Sequence, residues 1–377
     1  MPEWQVPLAD VVVTEADIEA VAETYRSGWL SIGPRTEEFE GAFARYTGSR
    51  HTIAVSSGTA ALHLICLATG LGPGDEVIVP SMTFVATANA IAYTGATPVF
   101  ADIASVTEPW LSARACEPVI GPRAKAIMTT DYGGHCGELE ALRQLADDNG
   151  LLLMEDAAHA AGARLHGRHL GTFGAAGAFS FFSNKNLAVG EGGIVITDDD
   201  ALAERVRLLR SHGMTSLSWD RHRGHAAGYD VVALGFNYRI DEPRAALGLR
   251  RLERLDEENR RRGRLDARYR EALSELGVVC ALPPADGLVA AHHLFTIVLD
   301  DGADQGAFRS TLADRGIQTS VHYPPVHHFT VYAHGEPELP ITDAYGARSV
   351  TLPMFAQMTD EQQELVIDAV ASQATRT

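Results

Sequence analysis

Among 377 residues the chain has only two lysines, Lys125 and Lys185, within a total of 31 lysines and arginines. Lys185 stands in Phe179-Ser180-Phe181-Phe182-Ser183-Asn184-Lys185-Asn186-Leu187, shortly before Gly190-Glu191-Gly192-Gly193. A lysine at a strand-to-loop transition, in a chain that otherwise uses arginine for its cations, points to a need for a primary amine. An amine shifts its pKa readily and can form a Schiff base, whereas a guanidinium stays protonated. Leu151-Leu152-Leu153-Met154 is apolar on both faces and reads as a buried parallel strand. Glu155 and Asp156 follow at its carboxyl end, where open α/β sheets place ligands. A carboxylate there can keep a pyridine nitrogen protonated, and it reads equally as a loop or helix-cap acid. Ser56-Ser57-Gly58-Thr59 lies at a strand-to-helix junction, where free N–H groups and the helix dipole favour a phosphate; the same residues also read as an ordinary N-cap. An amine, an acid and a phosphate cradle at successive strand ends are the fittings that pyridoxal phosphate needs.

The elements that must position these groups alternate in the manner of βα units around a mainly parallel sheet. Thr14 caps a helix closed by Gly28. Strands are expected at Thr52–Val55, Val77–Val79, Thr97–Ala101, Ala126–Thr129, Leu151–Met154, Ala178–Phe182 and Ile194–Thr197, with helices from Gly58 to about Gly70, Thr83 to Tyr93 and Glu138 to Asn149. The charged stretch Leu249–Leu276 reads as one long helix linking to a smaller α/β unit. That unit has strands near Leu294–Leu299 and Gln318–Val321 and helices near Gln305–Arg315 and Thr359–Ser372. The expected division is a large cofactor-binding domain over 1–250 and a small C-terminal domain over 251–377 that includes the linking helix.

Composition narrows the function classes. With 46% hydrophobic and 21% charged residues the chain reads as a globular enzyme. No apolar run approaches the roughly 18 residues of a membrane span, and Met1-Pro2-Glu3-Trp4-Gln5 lacks the regions of a signal peptide, so a cytoplasmic location is expected. The net charge of −18 repels nucleic acid and anionic membranes, and it requires a local cationic cluster for any anionic substrate. The four cysteines are scattered without a Cys-x-x-Cys pair, which argues against a zinc knuckle and against a disulfide scaffold. Gly70-Leu71-Gly72-Pro73-Gly74-Asp75 follows a helix and precedes a strand, the reverse of a dinucleotide fingerprint, and reads as a turn. His322, His327 and His328, and likewise His222 and His225, lack the spacing of a recognised zinc site, so no metal is expected.

The ordered motifs resemble those of the DegT/StrS-type sugar aminotransferases, fold type I pyridoxal-phosphate enzymes. They are Ser27-Gly28-Trp29-Leu30-Ser31-Ile32-Gly33-Pro34, Ser56 to Ala61, Pro80-Ser81-Met82-Thr83-Phe84, Glu155-Asp156-Ala157-Ala158-His159, the Lys185 segment, Gly235-Phe236-Asn237-Tyr238-Arg239 and His322-Tyr323-Pro324-Pro325. The resemblance implies that Lys185 is the Schiff-base lysine and Asp156 the partner of the pyridine nitrogen. It implies that Phe84 and His159 flank the ring, and that Ser57, Gly58, Thr59 and Ser180 hold the phosphate. Asn237 would reach the phosphate of a neighbouring subunit in a homodimer with shared sites. Position 159 is His where many relatives carry Gln, and Asp131 stands where many carry His. Because the related dehydratases carry His in place of this lysine, transamination is favoured over dehydration.

By the same resemblance the amino donor is L-glutamate or L-glutamine, with pyridoxamine phosphate as the intermediate cofactor form. The acceptor is a nucleotide-linked 4-keto-6-deoxyhexose, and a keto-cyclitol and a non-catalytic regulator remain as alternatives. Trp29, Ser31, Tyr238 and Arg239 are candidate substrate contacts. Arg221 and Arg223, in the basic run Trp219 to His225, are expected near the nucleotide or the dimer interface, although the run also reads as a solvated loop. His322, Tyr323 and His327, in an ordered proline-bearing loop, are the remaining candidates for sugar contacts.

Overall fold

The computed structural model describes residues 4–216, 228–333 and 337–374. In chain order its strands are β1 (His51–Val55), β2 (Glu76–Pro80), β3 (Thr97–Ala101), β4 (Ala124–Thr130), β5 (Leu152–Asp156), β6 (Arg164–Leu165), β7 (Arg168–His169), β8 (Ala176–Ser180), β9 (Gly193–Thr197), β10 (Val279–Cys280), β11 (Leu288–Val289), β12 (Phe295–Val298) and β13 (Ser349–Leu352). Seven of them form one sheet in the order β1-β9-β8-β5-β4-β2-β3. The pairs β8–β5, β5–β4, β4–β2 and β2–β3 are parallel, and β9 runs antiparallel to both its neighbours. The mainly parallel α/β fold expected from the sequence is therefore present.

Both faces of this sheet are dry, which is why its strands are apolar at successive positions. Ile53 and Val55, Ala126 and Met128, Met154 and Val195 belong to one core cluster, shared with the Gly58–Ala68 and Val85–Ala92 helices. The intervening residues Ala54, Ile194 and Ile196 face a second cluster built on Phe39, Phe43, Phe179 and Phe181, and Ile127 and Leu153 a third. Strand alternation thus sends neighbouring residues to opposite layers. The helices arrive at the carboxyl ends of β1 and β2 and deliver their N-termini there.

Towards the C-terminus, β10, β12 and β13 make an antiparallel sheet in the order β10-β12-β13, covered by Leu265, Tyr269, Leu312, Val366 and Val370 of three helices. A third small sheet joins β11 to β6 and β7. Two expectations for this region are corrected. The single helix over Leu249–Leu276 is two, Glu242–Leu252 and Leu255–Ser274, with a turn at Glu253 and Arg254 between them. The expected strand at Gln318–Val321 contributes single bridges only: Gln318 N–H donates to Val6 O at 3.0 Å, and Ser320 exchanges hydrogen bonds with Thr351 at 3.2 and 2.8 Å. The N-terminal segment occupies the edge that a longer strand would need.

Arg254 also fastens the first helix, Glu15–Ser27, where Thr14 and Asp17 form a capping box. Both Arg254 terminal nitrogens donate to Asp17, at 2.9 and 2.8 Å, and Asp17 is 1% exposed. Burial pushes the Asp17 carboxyl up, but Arg254, the Thr14 N–H and Arg251 outweigh it and bring it to about 2. A depressed carboxyl contributes stability above its unfolded pKa of about 4 and loses it as pH falls towards 2. Asp17→Asn should therefore lower stability by about 2 kcal/mol at pH 7, with the gap to wild type closing at pH 3. A gap unchanged between these pH values in chemical denaturation would contradict the assignment.

Candidate active site

Ten of the residues singled out in the sequence line one cavity of about 360 Å³: Ser57, Gly58, Thr59, Phe84, Asp156, His159, Ser180, Lys185, His322 and Tyr323. Ser57, Gly58, Thr59, Phe84, Asp156 and Ser180 come from the ends of elements, and His159, Lys185, His322 and Tyr323 from the loops that follow them. Ser57 is the N-cap of the Gly58–Ala68 helix, its side chain accepting from Ala60 N at 3.1 Å. Ala61 N–H is bonded to Ser57 O, so Gly58 and Thr59 are the first-turn residues whose N–H groups lack helical partners. The space is tight by construction. A Cβ at Gly58 would lie 2.8 Å from Ser180 Cβ, and one at Gly193, where β9 begins, 2.5 Å from Ser57 O. The bare backbone lets β8, β9 and the helix start close into a cradle, which fits a phosphate.

Asp156, the last residue of β5, is 4% exposed. Its Oδ2 accepts from Thr87 Oγ1 at 2.6 Å and its Oδ1 from Ala158 N at 3.1 Å. Burial raises its pKa, while Thr87, the Ala158 N–H and Lys185 oppose the rise. A carboxylate so fixed, whose charge is disfavoured by burial, fits a protonated ring nitrogen as its counter-charge. Lys185 lies in the loop between β8 and β9, its N–H bonded to Phe182 O at 2.9 Å. Burial pushes its amine down to about 8, with Asp156 opposing. Lys185 can therefore be neutral near physiological pH, as a nucleophile must be.

His159 is held in one tautomer. Gly133 N–H donates to its Nδ1 at 3.1 Å, which leaves the proton on Nε2, and Nε2 faces Tyr323 Oη at 3.0 Å. Burial, then Lys185 and His322, hold the imidazole well below its ordinary pKa, so it is neutral. Tyr323, having accepted from Nε2, keeps its own O–H to donate, and burial and Asp156 push that phenol up. His322 is fixed by Thr351 Oγ1 at 2.9 Å, and burial, Lys185 and Arg309 bring it down to about 4. Phe84, at the mouth, is 54% exposed and its ring centroid lies 5.5 Å from that of Tyr323.

Other sequence candidates lie outside this wall. Trp29 Nε1 donates to Ile32 O at 3.1 Å, in a separate cleft with Glu23, Arg35 and Glu242, and Ser31 is exposed. Tyr238 stacks on Phe236 with centroids 4.9 Å apart and its hydroxyl lies 3.2 Å from His63 Nδ1. Arg239 is half-buried and bridges backbone to Val55, while Asn237 is exposed and bridges to Ser211. His327 turns to Ser81 and Asp343. Arg221 and Arg223 lie outside the described residues.

The sequence reading passed over Thr87, and with it a run of hydroxyls beneath the cavity: Thr130 Oγ1 to Thr83 Oγ1 at 3.3 Å, Thr83 Oγ1 to Thr87 Oγ1 at 2.7 Å, then Thr87 to Asp156. Their spacing of four residues on an expected helix was the available signal. Also unremarked was the burial of Asp131, whose two carboxylate oxygens have no hydrogen-bond partner among the described residues. Its backbone N–H donates to Asp156 O at 3.0 Å. Burial, then Glu155 and Asp156, raise its pKa well above the usual range.

The arrangement has relatives. The chain is 39% identical over 374 residues to the spore coat polysaccharide biosynthesis protein SpsC of Bacillus subtilis, covering 97% of this chain and 96% of SpsC. Among solved structures, the aminotransferase TlmJ from Streptoalloteichus hindustanus superposes with a TM-score of 0.92 at 35% identity, over 99% of this chain and 100% of TlmJ. DesV of S. venezuelae superposes with a TM-score of 0.88 at 38% identity, over 96% of this chain and 95% of DesV. Residues 12–371 match the DegT/DnrJ/EryC1/StrS aminotransferase family. With that match spanning every element that lines the cavity, the chain belongs to the DegT/DnrJ/EryC1/StrS family and is a pyridoxal-phosphate-dependent aminotransferase.

Proposed function

We propose that the enzyme transfers an amino group from L-glutamate or L-glutamine to a nucleotide-linked keto-deoxysugar, a 4-keto-6-deoxyhexose, in a ping-pong cycle that leaves an amino sugar. The observation that carries the reading is the meeting of Lys185, Asp156 and the Gly58 helix start in one cavity. The sugar assignment is supported by relatives described as a polysaccharide biosynthesis protein and, in Helicobacter pylori PseC (27% identity, TM-score 0.91), as an aminotransferase of pseudoaminic acid biosynthesis.

In this reading the N–H groups of Gly58 and Thr59, with the Ser57 and Ser180 hydroxyls, hold the cofactor phosphate, and Asp156, steadied by Thr87 and Ala158 N–H, keeps the proton on the pyridine nitrogen. Phe84 and His159 flank the ring. Pyridoxal phosphate, when bound, supplies the electron sink that stabilises negative charge at the carbon losing its proton. Lys185 Nζ takes the α-proton of the amino donor and later returns a proton at the sugar carbon being aminated. His322 and the Tyr323 hydroxyl face the same space and are placed to orient the acceptor. Asn237 serves the phosphate of a second copy across a homodimer interface. Support for that comes from its exposure, and from Tyr229, Val231, Val232 and Leu234 standing 57, 53, 58 and 95% exposed just before it, an apolar surface of the kind that partners cover. Among the described residues no helix is long and apolar enough to cross a membrane.

Four outcomes check this. Because the neutral amine is the nucleophile, the rate at which cofactor-free protein is reconstituted by pyridoxal phosphate should rise with pH through about 8 and then level; the lysine-bound cofactor's absorption band should be lost in Lys185→Ala. A featureless spectrum after adding pyridoxal phosphate to the wild type would refute the cofactor site. Glutamate-dependent amination should occur with nucleotide keto-sugars and not with keto-inositols, and turnover of keto-inositols alone would reassign the substrate to the cyclitols. Mixing Lys185→Ala with Asn237→Ala chains by co-expression should restore activity that neither variant has alone, whereas unrestored activity would place Asn237 outside a shared site.

A further inference from the structure

The loop that carries His322 and Tyr323 continues into a short 3-10 turn, Val326–His328. Adjacent histidines lack a zinc-binding spacing, so no metal is expected there from the sequence. The fold supplies what the spacing lacks. The Pro340–Arg348 helix brings Asp343 beneath the turn, so that His327 Nε2 lies 3.2 Å and His328 Nε2 3.0 Å from the same oxygen, Asp343 Oδ1. One ligand atom from each residue falls within 4.8 Å of the other two, the only such His/Cys/Asp/Glu group found among the described residues.

We propose that His327, His328 and Asp343 form a binding site for one divalent cation of the zinc type. Two ligand atoms at about 2.0–2.1 Å from a tetrahedral metal are separated by about 3.3 Å, close to the 3.0 and 3.2 Å seen here. Asp343 Oδ1 is itself buried and accepts no well-aligned hydrogen bond among the described residues, although two ring nitrogens stand beside it. A cation between the three atoms satisfies all of them through lone pairs. His327 is also prepared for this role. It is 6% exposed, its backbone N–H donates to Ser81 Oγ at 3.0 Å, and its Nδ1 lies 2.6 Å from the same hydroxyl. A ring whose Nδ1–H is donated to a fixed oxygen presents Nε2 as the ligand, the usual outer-sphere arrangement of a metal-bound histidine.

The donor set selects the metal. Two imidazoles and one carboxylate suit Zn²⁺, Co²⁺ or Ni²⁺ and do not suit Mg²⁺ or Ca²⁺, which prefer all-oxygen shells. The His328 side chain is 55% exposed, so the remaining coordination position opens to water. An ion here would tie the Tyr323 loop to the Pro340–Arg348 helix, independently of which sugar the enzyme uses.

The test uses tag-free holoenzyme stripped with chelator and titrated with Co²⁺, followed by visible absorption, and with Zn²⁺, followed by calorimetry. Expected are one saturable equivalent, a rise in Tm with excess Zn²⁺, and binding weakened at least about tenfold in both His328→Ala and Asp343→Asn. Circular dichroism and the cofactor band of each variant report whether its fold is intact. No saturable binding to the wild type would overturn the proposal, and so would equal affinity and stoichiometry in a correctly folded His328→Ala, which would assign the metal to other histidines of the 15 in the chain.

Discussion

A buried carboxylate at the end of a strand is the constraint around which the active-site half of the molecule is arranged. Asp156 can be charged beneath the cavity only if something offsets its desolvation, and the fold provides Thr87, Ala158 N–H and Lys185 for that purpose. Its neighbours are dealt with separately. Glu155 is buried beside it but points to the other side of the sheet, where Gly171 and Gly174 N–H groups bond it at 2.8 and 2.6 Å. Burial alone would raise Glu155, and those two N–H groups restrain the rise. Asp131 receives no such donors, and burial with its two acidic neighbours raises its carboxyl. Three acids so close cannot all ionise, and the geometry decides which does.

The glycines near this cluster follow from the same demand. A Cβ at Gly174 would stand 2.4 Å from Leu153 O, and one at Gly177 2.2 Å from Gly171 O. Substituting either would push apart the chain segments whose N–H groups hold Glu155, and β5 with its terminal Asp156 would move with them. Precision at the site is therefore set one layer below it, by backbone contacts in which no functional group takes part.

Much of this was legible beforehand. The strand that carries Asp156 announced itself by apolar residues on both faces, and the helix start at Gly58 by its Ser and Thr caps. Those signals are local, since a strand's burial and a helix's cap are written in adjacent residues. What escaped the sequence was set by tertiary pairing. The break at Glu253 and Arg254 is invisible in a charged helical pattern, and the acid that holds Arg254, Asp17, lies 237 residues away. The segment after Ile317 has strand-like composition, yet its hydrogen bonds are taken by Val6 and Thr351. The Thr83–Thr87–Asp156 chain required knowing that a helix face would lie against the end of β5. Asp343 likewise had no reason to be associated with His327 until its helix was placed.

His159 carries one last implication. Its Nδ1 accepts a backbone N–H and its Nε2–H points to a phenol, so what the position offers is one acceptor and one donor held at a fixed separation. A glutamine side chain offers the same pair, with its carbonyl and its amide. The position is thereby an oriented donor–acceptor pair, which does not depend on the ring taking up a second proton. The imidazole here links the Gly133 backbone to the Tyr323 hydroxyl, and burial holds it in the neutral form that makes both bonds.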